Sequence, residues 1–135
     1  IPALLQLMQQ IHPKISFHPH VATELRLPFD RDDLLELLGN LLDNACKWAR
    51  SQVRLELRAA PRQLQISIED DGPGIAPVKR QQLIQRGQRA DEYGLGHGLG
   101  LAIVQDIVNA LHGQLELEDS ELGGLQVKIS LPFLQ

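Results

Sequence analysis

Asn40, Asn44 and Lys47 interrupt an otherwise leucine-rich stretch, DLLELLGNLLDNACKWA, and their types suit a metal-bound anion. An asparagine carbonyl is a neutral oxygen that can join a magnesium shell, and a lysine ammonium is a point charge for phosphate oxygens. On a helix turning about 100° per residue, Leu34, Leu37, Leu38, Leu41, Leu42 and Ala45 fill one broad arc. Glu36, Asn40, Asn44 and Lys47 then gather within about 80° on the other side. A solvated face is usually built from Glu, Lys and Arg, whereas asparagine is a mediocre helix former. Two asparagines one turn apart therefore read as ligands set on a helix, with a polar surface that happens to use Asn as the plainer alternative.

Two glycine-bearing stretches add to this. Asp70, Gly72 and Gly74 form a D-x-G-x-G turn after an apolar strand, where the glycines admit a close ligand and the carboxylate can accept a hydrogen bond from an exocyclic amine. An ordinary Asp-Gly turn would look the same. In GLGHGLGL, Gly96, Gly98 and Gly100 run into a helix start, a place whose free amides and dipole favour phosphate. A flexible linker is the alternative there. The run is neither a dinucleotide-binding fingerprint, since no strand precedes it, nor a P-loop, since it lacks G-K-[ST]. Arg86 and Arg89, in QRGQR, are either surface charges or phosphate contacts. His97 lies between two of these glycines, whereas His12, His18, His20 and His112 have no partner at metal-ligand spacing. Trp48 at the end of the asparagine helix reads as core or as a stacking surface, and Cys46 as a small buried hydrophobe.

Several elements must position these groups. Leu4, Leu5, Leu7, Met8 and Ile11 have helical spacing and stop before Pro13. Ile15 to His18 and Glu24 to Leu27 read as two strands interrupted by Pro19 and Pro28. Asp30 or Asp32 caps the asparagine helix. Val53 to Ala59 and Leu64 to Glu69 read as a hairpin, followed by a short helix from about Val78 to Ile84. Arg86 to Gly100 reads as a mobile loop, Gly100 as the opening of a second long helix, and Gly113 as its cap. Gln114 to Glu118 and Gln126 to Leu131 close the chain as a second hairpin around Gly123 and Gly124. This order predicts an α/β two-layer sandwich, a mixed sheet with helices over one face.

Composition sets the outer bounds. The 135 residues suit a single domain, and 43% hydrophobic with 22% charged residues is ordinary for a folded chain. Thirteen Lys and Arg against seventeen Asp and Glu leave a net charge of −4, which gives no general attraction to nucleic acid or to an anionic membrane. One cysteine excludes an internal disulfide. No apolar run approaches the roughly 20 residues of a membrane span, so direct membrane contact by this domain is not expected.

NLLDNACKW, EDDGPGI and GHGLGLAIV, in that order, resemble the N, G1 and G2 boxes of the ATP-binding domain of sensor histidine kinases. The similarity covers nearly the whole chain, and GNLLDNACKW with EDDGPGI and RGQR is most similar to the PhoQ-type sensor kinases. The resemblance implies a Bergerat fold: a mixed sheet of about five strands, three helices on one face, and a flexible ATP lid at residues 86–100. Residues 1–11 would be the tail of a connection from a preceding dimerisation domain. Asn40 and Asn44 would take magnesium and phosphate, Lys47 would reach phosphate oxygens, and Trp48 would flank the nucleotide. Asp70 would accept the adenine amine, with Gly72, Gly74 and Ile75 shaping the base pocket. Arg86 and Arg89 would contact phosphate, with Arg89 matching an arginine of PhoQ-like domains. Gly96, Gly98 and Gly100, with Leu99 and Leu101, would close over the triphosphate. His97 stands where those domains carry a metal-contacting glutamine.

Three positions depart from the family pattern: Ile84 for a lid phenylalanine, Leu125 for a threonine after Gly124, and His97 for glutamine. Related ATPases such as gyrase and MutL carry a water-activating glutamate one turn before the magnesium-binding asparagine, and that position here is Asn40. An amide cannot act as a general base, so ATP is kept for another acceptor. The resemblance then implies phosphoryl transfer from Mg-ATP to a histidine on the dimerisation domain, a response regulator receiver domain as the next partner, and a cytoplasmic place in an inner-membrane sensor. An anti-sigma-type serine kinase and a nucleotide-binding interaction module on the same fold are the competing readings.

Overall fold

The computed structural model describes residues 2–21, 29–74 and 96–133. In chain order these form α1 (Pro2–Ile11), β1 (Ser16–Val21), α2 (Arg31–Trp48), β2 (Gln52–Ala59), β3 (Gln63–Asp70), α3 (Gly96–Ala110), β4 (Gln114–Asp119) and β5 (Leu125–Pro132). The five strands lie in the order β1-β2-β3-β5-β4, with β1 parallel to β2 and every other pairing antiparallel. This is the expected mixed sheet. Alternation along the strands makes it two-faced. Val53, Leu55, Leu57, Leu64, Ile66, Ile68, Val127, Ile129 and Leu131 are buried in one core with Leu37, Leu38, Leu41 and Leu42 of α2 and Leu101, Val104 and Val108 of α3. Arg54, Glu56, Ser67, Glu69, Gln126 and Lys128 stand in register on the other face. A shallow depression of about 300 Å³ on that open face is lined by groups that pair with each other, Arg58 with Gln65 and Gln126 with Ser67.

The differences from the sequence pattern have local causes. The strand after Pro13 is not broken at Pro19 but runs on to Val21. It is an edge strand, where a residue without an N–H is tolerated on the unpaired side. Glu24 to Leu27 and the short helix from Val78 to Ile84 lie outside the described residues. Asp30 rather than Asp32 caps α2, its Oδ1 accepting from the Asp32 N–H at 2.7 Å and the Asp33 N–H at 3.4 Å.

The second long helix opens at Gly96, not Gly100, so the last five residues of the segment expected as lid are helical. Three glycines in a helix cost about 1 kcal/mol each. Burial of Leu101, Val104 and Val108, worth about 1.5 to 3 kcal/mol per side chain, outweighs that and carries the helix upstream. Its other end is also shifted. His112, not Gly113, takes the left-handed position, with φ 61°. The His112 N–H donates to the Asn109 carbonyl at 3.1 Å and the Gly113 N–H to the Val108 carbonyl at 2.8 Å, the two bonds of a Schellman cap. Glycine is required one residue later because a Cβ at 113 would press on the Ser130 carbonyl.

A non-glycine residue in the left-handed region costs about 1 to 2 kcal/mol. His112→Gly should therefore raise stability, by about 0.5 to 1 kcal/mol after the larger entropy loss of glycine on folding. Urea unfolding checks this, and an unchanged midpoint would show that the His112 backbone carries no strain.

Candidate functional site

The C-terminal half of α2 and the end of β3 meet at one edge of the core. The amphipathic sequence turns the leucines of α2 inward, and the strand alternation turns Asp70 to the same side of the sheet as Ile68 and Ile66. Asp70 is 4% exposed. Its Oδ1 accepts the Gly72 N–H at 2.9 Å and the Leu125 N–H at 3.4 Å. Both bonds fall on one oxygen, and Oδ2 accepts none from the described residues. Burial pushes the carboxyl above its ordinary value, against the lowering effect of those two N–H groups.

The glycines around it are there for space. A Cβ on Gly72 would collide with the Trp48 carbonyl, and a Cβ on Gly124 with Asp70 Oδ1. The D-x-G-x-G turn thus stands between the last turn of α2 and the β4–β5 turn. Gly74 has φ 75° and faces the Gly124 backbone.

Asn44 is 3% exposed, and its Oδ1 accepts no hydrogen bond from a described residue. An unsatisfied buried carbonyl costs about 1 to 3 kcal/mol. Asn40, one turn earlier, is half-buried, and its Nδ2 donates to the Glu36 carbonyl at 2.8 Å, which leaves Oδ1 as an acceptor. The Lys47 Nζ lies 3.4 Å from Asp43 Oδ2, and His12 Nε2 lies 3.6 Å from Asp43 Oδ1. Both Lys47 and Asp43 are about half exposed, so this pair is weak. Trp48 is half-buried at the end of the helix.

The structure places Asn40, Asn44, Lys47 and Trp48 on α2 and Asp70, Gly72 and Gly74 at and just after the end of β3, and the two segments touch where the Trp48 carbonyl lies against Gly72. Ile75, Arg86 and Arg89 lie outside the described residues, as does the Ile84 departure. Gly96, His97, Gly98, Leu99 and Gly100 form the start of α3. Leu101, expected to help close over a triphosphate, is fully buried in the core, where it anchors the start of that helix. Leu125 is likewise a core residue and offers Asp70 its N–H. Two asparagine carbonyls fit a hard, oxygen-seeking cation. Among the described residues no cluster of three His, Cys, Asp or Glu side chains offers a competing metal site.

One positioning residue escaped the sequence pattern. Asp71 accepts the Arg50 N–H at 2.7 Å, the Gln52 N–H at 3.1 Å, the Ser51 N–H and the Ser51 hydroxyl. Burial works against its charge, but these bonds outweigh it and bring the carboxyl down to about 2. It ties the exit of α2 to the turn that carries Asp70. Only the doubled Asp in EDDG hints at it.

The two neighbouring aspartates should respond to pH in opposite ways. The raised value of Asp70 means that its ionisation disfavours the fold, so stability from this group is full below the ordinary carboxylate range and is lost as pH rises through its folded value. Asp70→Asn should then raise the melting temperature of the ligand-free chain at neutral pH, by an amount that shrinks on acidification. Asp71 contributes stability above its ordinary value of 3.8 and loses it as pH falls toward about 2. Asp71→Asn should lower the melting temperature at pH 7 and flatten the acid limb of the profile. Thermal unfolding between pH 2 and 7, on the scale of roughly these values, checks both; equal responses from the two variants would contradict the geometry.

Residues 29–135 match the family of histidine kinase-, DNA gyrase B-, and HSP90-like ATPases. The chain is 51% identical over 134 residues to the sensor protein kinase CarS of Pseudomonas aeruginosa, covering 98% of this chain and 30% of CarS. It is 41% identical over 116 residues to the two-component sensor PhoQ of the same organism, covering 86% of this chain and 26% of PhoQ. It thus spans less than a third of the length of either relative. Among solved structures, the mycobacterial sensor histidine kinase MprB matches with TM-score 0.81 and 31% identity over 97% of this chain and 90% of MprB. Full-length ShkA, solved in complex with AMPPNP, matches with TM-score 0.78 and 28% identity over 99% of this chain and 30% of ShkA. The chain therefore belongs to the histidine kinase-, DNA gyrase B-, and HSP90-like ATPase family, on the side of its sensor histidine kinases, where the PhoQ-type proteins and CarS lie.

Proposed function

We propose that this chain binds Mg-ATP and presents the γ-phosphoryl group to a histidine on a dimerisation domain of the same protein, from which a response regulator receiver domain takes it. Two buried polar groups carry this reading: Asp70, whose hydrogen bonds from the described residues all fall on Oδ1, and Asn44, whose Oδ1 has no partner among the described residues, on two elements that touch where the Trp48 carbonyl lies against Gly72. Such a pair is costly to keep in a ligand-free protein. It is explained by a ligand with an amine at one end and a metal-bound anion at the other.

In this reading Asp70 Oδ2 accepts the adenine amine, while the Gly72 and Leu125 N–H groups hold the other carboxylate oxygen in place. The glycines let the base lie against the backbone. Asn44 and Asn40 would hold magnesium through their carbonyl oxygens, and when bound it supplies neutralising charge at the phosphate oxygens. Lys47 leaves Asp43 for the phosphates, and Gly96, Gly98 and Gly100 present amides from the start of α3, where the helix dipole favours negative charge. His97, Arg86 and Arg89 are proposed as further phosphate or metal contacts, and Trp48, Ile75 and Leu99 as nucleotide contacts. No described side chain in the site is a general base next to the triphosphate, and Asn40 cannot become one. Transfer rests on positioning and charge stabilisation. The full-length protein is proposed to be an inner-membrane sensor with this domain on the cytoplasmic side; no helix among the described residues is long and apolar enough to cross a membrane.

Incubation of this chain with γ-labelled ATP and a separate histidine-bearing dimerisation domain should yield acid-labile phosphohistidine on that domain. ATP binding without any label transfer would reduce the chain to a nucleotide-binding module. Asp70→Asn should weaken ATP binding by about 1.5 to 3 kcal/mol, the scale of a charge-assisted hydrogen bond. Asn44→Ala should abolish most magnesium-dependent transfer while shifting the melting temperature by no more than a few degrees, roughly 1 kcal/mol for a domain of this size. A matching collapse of stability would make Asn44 a structural residue.

A further inference from the structure

On the open face of the sheet, directly beside Asp70, lies a second carboxylate that the nucleotide reading does not use. Glu69 is 6% exposed. Its Oε2 accepts from Arg54 Nη1 at 3.1 Å, across the β2–β3 pair, and its Oε1 accepts the Ser120 hydroxyl at 3.0 Å. Ser120 is itself buried and begins the turn between β4 and β5. Its Oγ also accepts the Leu122 N–H at 3.0 Å, its carbonyl accepts the Gly123 N–H at 3.0 Å, and its N–H donates to the Gly124 carbonyl at 2.8 Å. Every polar group of Ser120 is thus engaged in shaping the turn.

That turn ends on Asp70. The Gly124 N–H donates to the Asp70 carbonyl at 3.2 Å, and the Leu125 N–H reaches Asp70 Oδ1 at 3.4 Å. A Cβ on Gly124 would fall on the same oxygen. Adjacent residues of β3 therefore hold one turn from opposite faces of the sheet: Glu69 grips its start and Asp70 receives its end. A buried ionised group is a poor means of gaining stability, because desolvation offsets the attraction of its partner. It does fix geometry, since no apolar side chain at 69 could hold the Ser120 hydroxyl.

We infer that Glu69 and Ser120 are positioning residues for adenine recognition: they set the Ser120–Gly124 turn so that the Leu125 N–H occupies Asp70 Oδ1 and leaves Oδ2 aimed at the base. This rests on the reading of Asp70 as the acceptor of the adenine amine. The turn also supplies a role that the absent threonine hydroxyl after Gly124 does not fill, since at Leu125 only the backbone remains to orient the carboxylate.

The test compares binding of ATP with binding of inosine triphosphate, which carries a carbonyl in place of the exocyclic amine, to this chain. Ser120→Ala should lower the ratio of the two affinities by about tenfold, the scale of one net hydrogen bond. Glu69→Gln keeps an acceptor for the Ser120 hydroxyl and should hold the ratio within about threefold of the parent on the same scale. Where Ser120→Ala does not fold, Ser120→Cys keeps the side chain's size, replaces a strong donor by a weak one, and should lower the ratio in the same direction. A merely structural role would weaken both nucleotides equally and leave the ratio unchanged, and that result overturns the inference. Asp70→Asn measured alongside separates the two readings: if it lowers the ratio and the Ser120 variants do not, the positioning role alone fails, whereas an unchanged ratio in Asp70→Asn itself overturns the adenine reading and the positioning role with it.

Discussion

A carboxylate kept out of water, with its hydrogen bonds from the described residues all on one oxygen, is the constraint around which this domain is arranged. Asp70 Oδ1 takes the Gly72 and Leu125 N–H groups, and burial raises the cost of its charge. To keep the group there, α2 must bring its last carbonyl against Gly72, the β4–β5 turn must bring Gly124 against the carboxylate, and neither glycine can carry a side chain. The end of α2, the turn after β3 and the β4–β5 turn thus converge around Asp70.

The surrounding aspartates and glutamates show how neighbouring residues of one type serve different ends. Glu69 holds the turn from the open face, Asp70 faces the site, and Asp71 ties down the exit of α2 with bonds from Arg50, Ser51 and Gln52. Strand alternation separates the first two, and the end of β3 releases the third into the turn. Burial works against the charge of both Asp70 and Asp71. Asp71, little buried and with more donors, falls to about 2, while Asp70, more deeply buried and with two N–H groups, rises.

The site residues on α2 were legible because a helix converts spacing into direction. Asn40, Asn44 and Lys47 stand on one side of the leucine stripe wherever the helix is placed. The D-x-G-x-G turn was legible for the same local reason. Glu69 was not, since an alternating strand offers no sign that one of its outward residues is buried, and neither was Ser120, whose partner lies 51 residues away. The strand through Pro19 and the helix start at Gly96 were missed because local rules read Pro and Gly as breaks. At a sheet edge the missing N–H is harmless, and in α3 the burial of Leu101, Val104 and Val108 outweighs glycine's entropy.

Hydrophobic periodicity and turn chemistry by themselves determined that this chain forms a two-layer α/β domain, with a polar face on α2 and a glycine-bearing turn after β3, because both act over a few residues. Tertiary structure alone decided that Asp70 is buried with its hydrogen bonds from the described residues on one oxygen, that Asn44 Oδ1 has no partner among the described residues, and that a serine beyond α3 and β4 bonds Glu69 beside it. Burial and hydrogen-bond completion are set by what the chain folds back to touch, and residues 48, 72 and 124 meet only when the sheet and helices have closed on each other.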